Sequence, residues 1–190
     1  MAERAHSLPV SVEDYLRGEL GSEVRHEYID GRIRAMVGAS SAHNLIAGNL
    51  FAALHAHLRG SPCRVFMADM KLHVRTQTGE RFYYPDLQVC CDPTDGATYY
   101  RQRPMVVAEV LSPHTEREDR SSKFYAYRHL DSLQAYLLVA QDLPRVEVYR
   151  RASNWDLELY GEGQRFNLES LDFTLSLEQL YEGVEPQGGL

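Results

Sequence analysis

Apolar positions alternate with polar ones in short runs along most of the chain, and in places the spacing switches to that of a helix. Val12 to Leu20 reads as a short helix, with Ser11 placed to cap it. His26-Glu27-Tyr28-Ile29-Asp30-Gly31-Arg32-Ile33 sets Asp-Gly between two short alternating runs, a strong hairpin signal. From Ala42 to Leu58 the apolar residues Leu45, Ile46, Leu50, Phe51, Leu54 and Leu58 recur at helical spacing, with Ser40 or Ser41 as cap and Gly60-Ser61-Pro62 as stop. Strand-like runs follow near Arg64–Val74, Phe82–Cys91 and Pro104–Leu111. A further helix fits Glu118 to Leu130, then strands at Ala135–Ala140, Arg145–Arg150 and Trp155–Tyr160, and a short helix around Leu175–Tyr181. This order predicts an α/β protein with a mixed sheet flanked by helices, in one domain over residues 1–190 whose last residues, 185–190, fray.

With 190 residues, 44% apolar and 25% charged, the chain is ordinary for a globular domain with a full core. No apolar run approaches the ~20 residues of a membrane span, and the first residues lack the apolar core of an export signal. Cys63, Cys90 and Cys91 show no C-x-x-C spacing and read as reduced thilols of a cytoplasmic protein. The formal net charge of −7 argues against tight non-specific binding to nucleic acid. It does not exclude a nuclease, because bound metal supplies local positive charge.

The sharpest chemistry lies in Tyr84-Pro85-Asp86-Leu87-Gln88-Val89 and Val106-Val107-Ala108-Glu109-Val110-Leu111. Facing residues of an antiparallel pair have a constant sum of positions. A turn centred near Ala97 or Thr98 therefore puts Asp86 opposite Glu109, within a residue. Two facing acids repel unless something positive lies between them, and a hard divalent cation accepts such oxygens. Glu109 also interrupts a run that reads as a buried strand, where a carboxylate is costly unless paired or metal-bound. Pairing with an arginine, or an edge position facing solvent, is the alternative for Glu109.

A Pro-Asp on one strand and an acid on the next resembles the PD-(D/E)XK nuclease pattern. The wider arrangement resembles the bacterial Uma (Uma-two) family of endonucleases. The matching segments are Glu27-Tyr28-Ile29-Asp30-Gly31, Gly38-Ala39-Ser40-Ser41-Ala42-His43, Tyr84-Pro85-Asp86, Ala108-Glu109-Val110-Leu111-Ser112-Pro113-His114-Thr115, Asp119-Arg120-Ser121-Ser122-Lys123 and Tyr136-Leu137-Leu138-Val139. They run in family order over about four-fifths of the chain. The resemblance implies a restriction-endonuclease-like fold and a Mg²⁺- or Mn²⁺-dependent phosphodiesterase site acting on DNA, with Asp86 and Glu109 as metal ligands. One departure stands out: Leu111 occupies the place, two residues after Glu109, where the parent pattern has a lysine. In the Uma branch that lysine comes from the following helix, and Lys123 matches it.

Asp119, Lys123 and Tyr127 share one helical stripe, so Lys123 can reach the acids if that stripe faces the strand pair. Its role would be to orient water or stabilise charge developing on phosphate; the alternative is a surface pair with Asp119. Glu27 is the candidate third carboxylate of the metal site, by alternation with Ile29, or else an exposed residue beside Arg25. His43 matches the family histidine and is a candidate substrate contact, or else a structural residue at a helix start. His55 and His57 make a poor metal pair, and no H-E-x-x-H supports a zinc hydrolase. Tyr83, Tyr84, Tyr99 and Tyr100 are candidates for stacking on bases, or for core and rim. The expected function is a metal-dependent endonuclease, with a non-catalytic nuclease-fold binding or assembly module as the alternative. A homodimer is expected, because cutting a duplex needs two sites and the late strands offer an open edge.

Overall fold

The computed structural model describes residues 9–36, 38–77 and 79–185. Of residues 185–190, expected to fray, 186–190 lie outside the described residues. Helix α1 (Val12–Glu19) starts where the Ser11 hydroxyl accepts the Asp14 amide. Strands β1 (His26–Ile29) and β2 (Arg32–Ala35) form the expected hairpin, with Asp30 and Gly31 both at positive φ as a two-residue turn of this kind requires. Helix α2 (Ser41–His57) is capped by Ser40, whose hydroxyl accepts the His43 amide.

Two of the long strand-like runs are each broken in two. Arg64–Val74 becomes β3 (Arg64–Met67) and β4 (Lys71–Thr76), and the run ending at Cys91 becomes β5 (Gly79–Tyr83) and β6 (Leu87–Cys90). In both cases the halves belong to different sheets. The second break falls at Tyr84-Pro85-Asp86, where proline has no N–H to give to a ladder. Strands β7 (Tyr100–Arg101) and β8 (Pro104–Val110) repeat the crossing. One sheet runs β2-β1-β5-β4-β7. The other contains β3, β6 and β8, then β9 (Ala135–Val139), β10 (Arg145–Arg150) and β11 (Leu157–Gly161), in the order β11-β10-β9-β8-β6-β3. Each contains one parallel pair, β4 with β7 and β8 with β9, so both are mixed.

The connection from β8 to parallel β9 is helical, as a parallel pair requires. It consists of α3 (Glu116–Glu118), a π-turn (Asp119–Lys123) and α4 (Phe124–Tyr127), so the helix expected over Glu118–Leu130 starts two residues earlier, ends at Tyr127 and is broken by the π-turn. After β11 the chain adds a hairpin of β12 (Arg165–Leu168) and β13 (Phe173–Ser176), followed by α5 (Leu177–Leu180), which a Ser176–Gln179 capping box starts. Of the expected 175–181 helix, Leu177–Leu180 is helical and Leu175 and Ser176 pair in β13.

Alternation along β8 assigns its two faces. Val106, Ala108 and Val110 pack with α2, β12, β13 and α5 in the larger core. Val107 and Leu111 pack with Leu72, Val74 and Tyr83 of the other sheet and with Ala126 and Tyr127 of α4. Glu109 therefore points between the two sheets. A third cluster, Tyr15, Tyr28 and Phe82, seats α1 on the outer face of the five-stranded sheet.

The cysteine expectation is corrected. Cys63 and Cys91 form a disulfide, and Cys90 alone is a free, buried thiol. The β3–β6 register pairs Arg64 with Cys90, so the next step outward sets Cys63 against Cys91. That adjacency depends on strand pairing and is invisible to spacing along the chain. No helix among the described residues is long and apolar enough to cross a membrane.

Candidate functional site

Strands β6 and β8 pair with Leu87 opposite Ala108, and one further step brings Asp86 opposite Glu109. The backbone leaves β6 at Pro85, so Asp86 stands at the mouth of the pair. Its amide donates to Glu109 Oε2 at 3.3 Å, and its own Oδ2 accepts the Val110 amide at 2.7 Å. The two acids are thus tied to each other's strand. His43, at the start of α2, brings Nε2 to 3.1 Å from Asp86 Oδ2.

Lys123 reaches Glu109 from the connection. The π-turn lies where the stripe Asp119, Lys123, Tyr127 faces inward, and all three are buried. The Lys123 ammonium is 3.0 Å from Asp119, 3.2 Å from Glu109 and 3.4 Å from Glu27. The Tyr127 hydroxyl donates to the same Glu109 oxygen at 3.0 Å. Arg120 anchors the outer side of the turn through paired contacts with Glu147 on β10. Glu27 comes from the β1–β2 hairpin, whose register sets it opposite Arg34. Its Oε1 faces Lys123 and its Oε2 accepts Arg34 at 2.6 Å. Arg34 also bonds Glu118 of α3, bridging the hairpin to the connection.

All five residues singled out in the sequence, Glu27, His43, Asp86, Glu109 and Lys123, therefore meet where the two sheets adjoin. The alternatives of an edge-strand Glu109, a surface Lys123–Asp119 pair and an exposed Glu27 do not describe this geometry: Glu109 is 3% exposed, Lys123 4% and Glu27 2%. Arg34 and Glu118 were not anticipated. The Asp30-Gly31 turn contained the signal for Arg34, because it fixes the residue opposite Glu27. Tyr83 and Tyr84 are buried, which removes them as base-stacking candidates, whereas Tyr99 is exposed. His55 stacks on Phe51, and His57 bonds the Leu171 carbonyl.

The cluster gathers acids in excess. Burial raises the Glu109 carboxyl well above its ordinary pKa; Lys123 pulls it down, while Asp119, Asp86 and Glu27 push it further up. Asp119 is raised by burial in the same way, against Lys123. Burial opposes charge on Lys123, yet Glu109, Glu27 and Asp119 outweigh it and hold the ammonium charged. Burial likewise disfavours charge on His43, and Asp86 outweighs it, so its pKa is raised.

The donors are hard oxygens in electrostatic deficit, the chemistry that suits Mg²⁺ or Mn²⁺. Among the described residues no three His, Cys, Asp or Glu side chains form a ready-made ligand set. Mg²⁺ is commonly held by one or two carboxylates together with water and substrate phosphate, so the Asp86–Glu109 pair fits it.

Comparison with known proteins adds an independent finding. Residues 12–178 match the Uma2 family, described as "Putative restriction endonuclease". Two proteins of Synechocystis sp. are similar over most of their length. "Uncharacterized protein slr1290" is 36% identical over 92% of this chain and 93% of its own. "Uncharacterized protein sll1609" is 33% identical over 80% of this chain and 89% of its own. The fold resembles the crystal structure of "a putative nuclease belonging to DUF820" from Anabaena variabilis, with a TM-score of 0.73 at 19% identity, covering 92% of this chain and 98% of that one. The expected restriction-endonuclease-like α/β fold is thereby borne out.

Proposed function

We propose, from the premise that this chain belongs to the Uma2 family, that it hydrolyses phosphodiester bonds in DNA at a Mg²⁺ or Mn²⁺ site. The observation that carries this reading is the meeting at Glu109, where Lys123 and Tyr127 take one oxygen and the Asp86 amide takes the other. A lysine is thereby supplied to the acid pair from the connection instead of from position 111. In this reading Asp86 and Glu109 hold the metal. A bound divalent ion would lower the pKa of water and polarise the scissile phosphate. Lys123 orients the attacking water and offsets charge developing on phosphate. Glu27, expected as a third ligand, has each oxygen in an ion pair, and we assign it to holding Lys123 charged and aimed. His43 steadies Asp86 and can donate to a substrate oxygen.

Metal should stabilise the folded chain, because only folding gathers these acids. Thermal melts with millimolar Mg²⁺ or Mn²⁺ are expected to shift upward; binding at a hundred times Kd contributes about 2.7 kcal/mol. Asp86→Ala should lose the shift. A wild type indifferent to both metals would favour a nuclease-fold binding or assembly module without cleavage, the reading that the net charge of −7 also suits.

We further propose that the protein works as a homodimer. Strand β11 is an edge of the six-stranded sheet, and its Leu157 and Leu159 are 55% and 58% exposed. An unguarded apolar edge favours pairing with a second chain. Light scattering at micromolar concentration should give twice the mass of the chain, and Leu159→Lys should return it to one. A monomeric wild type would sink the proposal.

A further inference from the structure

Around the acid pair, the carboxylates of Glu27, Glu109, Glu118 and Asp119 face two side-chain cations, Lys123 and Arg34, while Asp86 faces His43. The two cations differ in what they can reach. Lys123 is buried among three acids, so it acts at the acid pair and does not extend to the surface. The Arg34 side chain is 51% exposed and comes from β2, the outermost strand of its sheet, where Arg32 is also exposed. Its Nη2 holds the buried Glu27, while its Nη1 holds Glu118, a carboxylate nearer the surface at 17% exposure. A guanidinium has five donors in a flat fork that matches phosphate as well as carboxylate.

We infer that Arg34 is a phosphate-contacting residue of the DNA site, and that Glu118 occupies its outer donors until a backbone phosphate replaces it. The inference rests on the reading of the chain as a DNA nuclease. A phosphodiester approaching an acid-rich site needs a cation that can meet it without leaving a buried carboxylate unpaired. Arg34 satisfies both conditions: it keeps its bond to Glu27 and exchanges only Glu118, the less buried of its two carboxylates at 17% against 3% exposure. The β1–β2 hairpin thereby becomes part of the nucleic-acid surface, a basic edge on an otherwise acidic chain. An arginine held only to brace the hairpin against α3 would need no exposed face and would not respond to substrate.

The two roles separate in binding measurements on a fluorescently labelled DNA duplex, with Ca²⁺ replacing Mg²⁺ to avoid cleavage, over a range of salt concentrations. Arg34→Ala should weaken binding about tenfold and reduce the slope of log affinity against log salt by about one, the signature of one lost phosphate contact. Glu118→Gln should tighten binding severalfold with the slope unchanged, because it removes the competitor. Glu118→Gln also keeps the test valid if Arg34→Ala does not fold. A wild type that binds DNA with salt dependence, while Arg34→Ala keeps the full slope or Glu118→Gln gains nothing, overturns the role of Arg34 alone. A wild type that neither binds nor cuts DNA overturns the nuclease reading, and this inference with it.

Discussion

Glu109→Gln is expected to abolish DNA cleavage and the metal-induced melting shift while raising the metal-free melting temperature. The two effects have one cause. Glu109 is buried, and its carboxyl is raised well above the ordinary range by that burial, with Asp119, Asp86 and Glu27 adding to the effect against Lys123. A raised folded-state pKa means that the ionised form costs stability at neutral pH. Glutamine keeps the shape and still accepts from Lys123 and Tyr127, yet brings no charge; only its amide, set against the Asp86 amide, loses a partner. The proposed function needs the opposite. Losing a ligand that stabilises transition-state charge forfeits several kcal/mol, or about 10³-fold or more in rate. Single-turnover cleavage and melts on one preparation test both halves. A variant that still cuts DNA within tenfold of wild type would remove Glu109 from the site. A variant that melts lower without metal would show that the charge is stabilising where it sits.

That trade between stability and charge is also why the site was readable before the fold was. Glu109 conflicts with its own neighbours, an acid within an apolar run, and such local conflict marks function more often than structure. Its partner followed from arithmetic: antiparallel pairing has a constant sum, and the observed sum along β6 and β8 carries Asp86 to Glu109. The intervening loop was harder. It does not simply turn, because Tyr100–Arg101 pairs with β4 in the other sheet. The division into two sheets was not legible for the same reason. Both halves of Arg64–Val74 alternate like one strand, and only tertiary pairing decides that β3 and β4 part at Ala68-Asp69-Met70. The β12–β13 hairpin was missed because its Leu168 and Phe173 ends are joined by a 3₁₀ turn instead of a Gly-containing loop.

Helix spacing placed Lys123 correctly on one stripe with Asp119 and Tyr127 but left its direction open, since a polar stripe faces water as readily as it faces acids. The structure turns it inward, and Glu27 from a different sheet completes its surroundings. No single segment contains that information. It arises where the β1–β2 hairpin, β8 and the π-turn converge.

The inward direction makes Lys123→Met a test with a large expected effect. Lys123 is 4% exposed among Glu109, Asp119 and Glu27, and its loss strands their charge in a dry site. Removing one partner of a buried ion pair costs about 3–5 kcal/mol, so metal-free melts at neutral pH should fall sharply. The pH dependence has a definite sign. Glu109 and Asp119 have raised folded-state values, so their contribution is complete below the ordinary carboxylate range and is lost as pH rises through those values. Lysine lowers both, so the variant's values rise further, and its deficit should widen as pH rises through the wild type's own raised values. The lysine's own contribution does not vary there: its folded value is raised, so that contribution is complete below its ordinary pKa and is lost only as pH rises through the higher value. Millimolar Mn²⁺ should narrow the deficit by supplying the missing positive charge. With saturating Mn²⁺, at a temperature where the variant is folded, turnover should fall about 10²–10³-fold with KM little changed, because the ammonium acts on charge that develops only in the transition state. A metal-free melt within about 0.5 kcal/mol of wild type would contradict the buried network, since that is the range of surface substitutions. Unchanged turnover in an active enzyme would leave Lys123 a counter-ion that the acids need and the reaction does not.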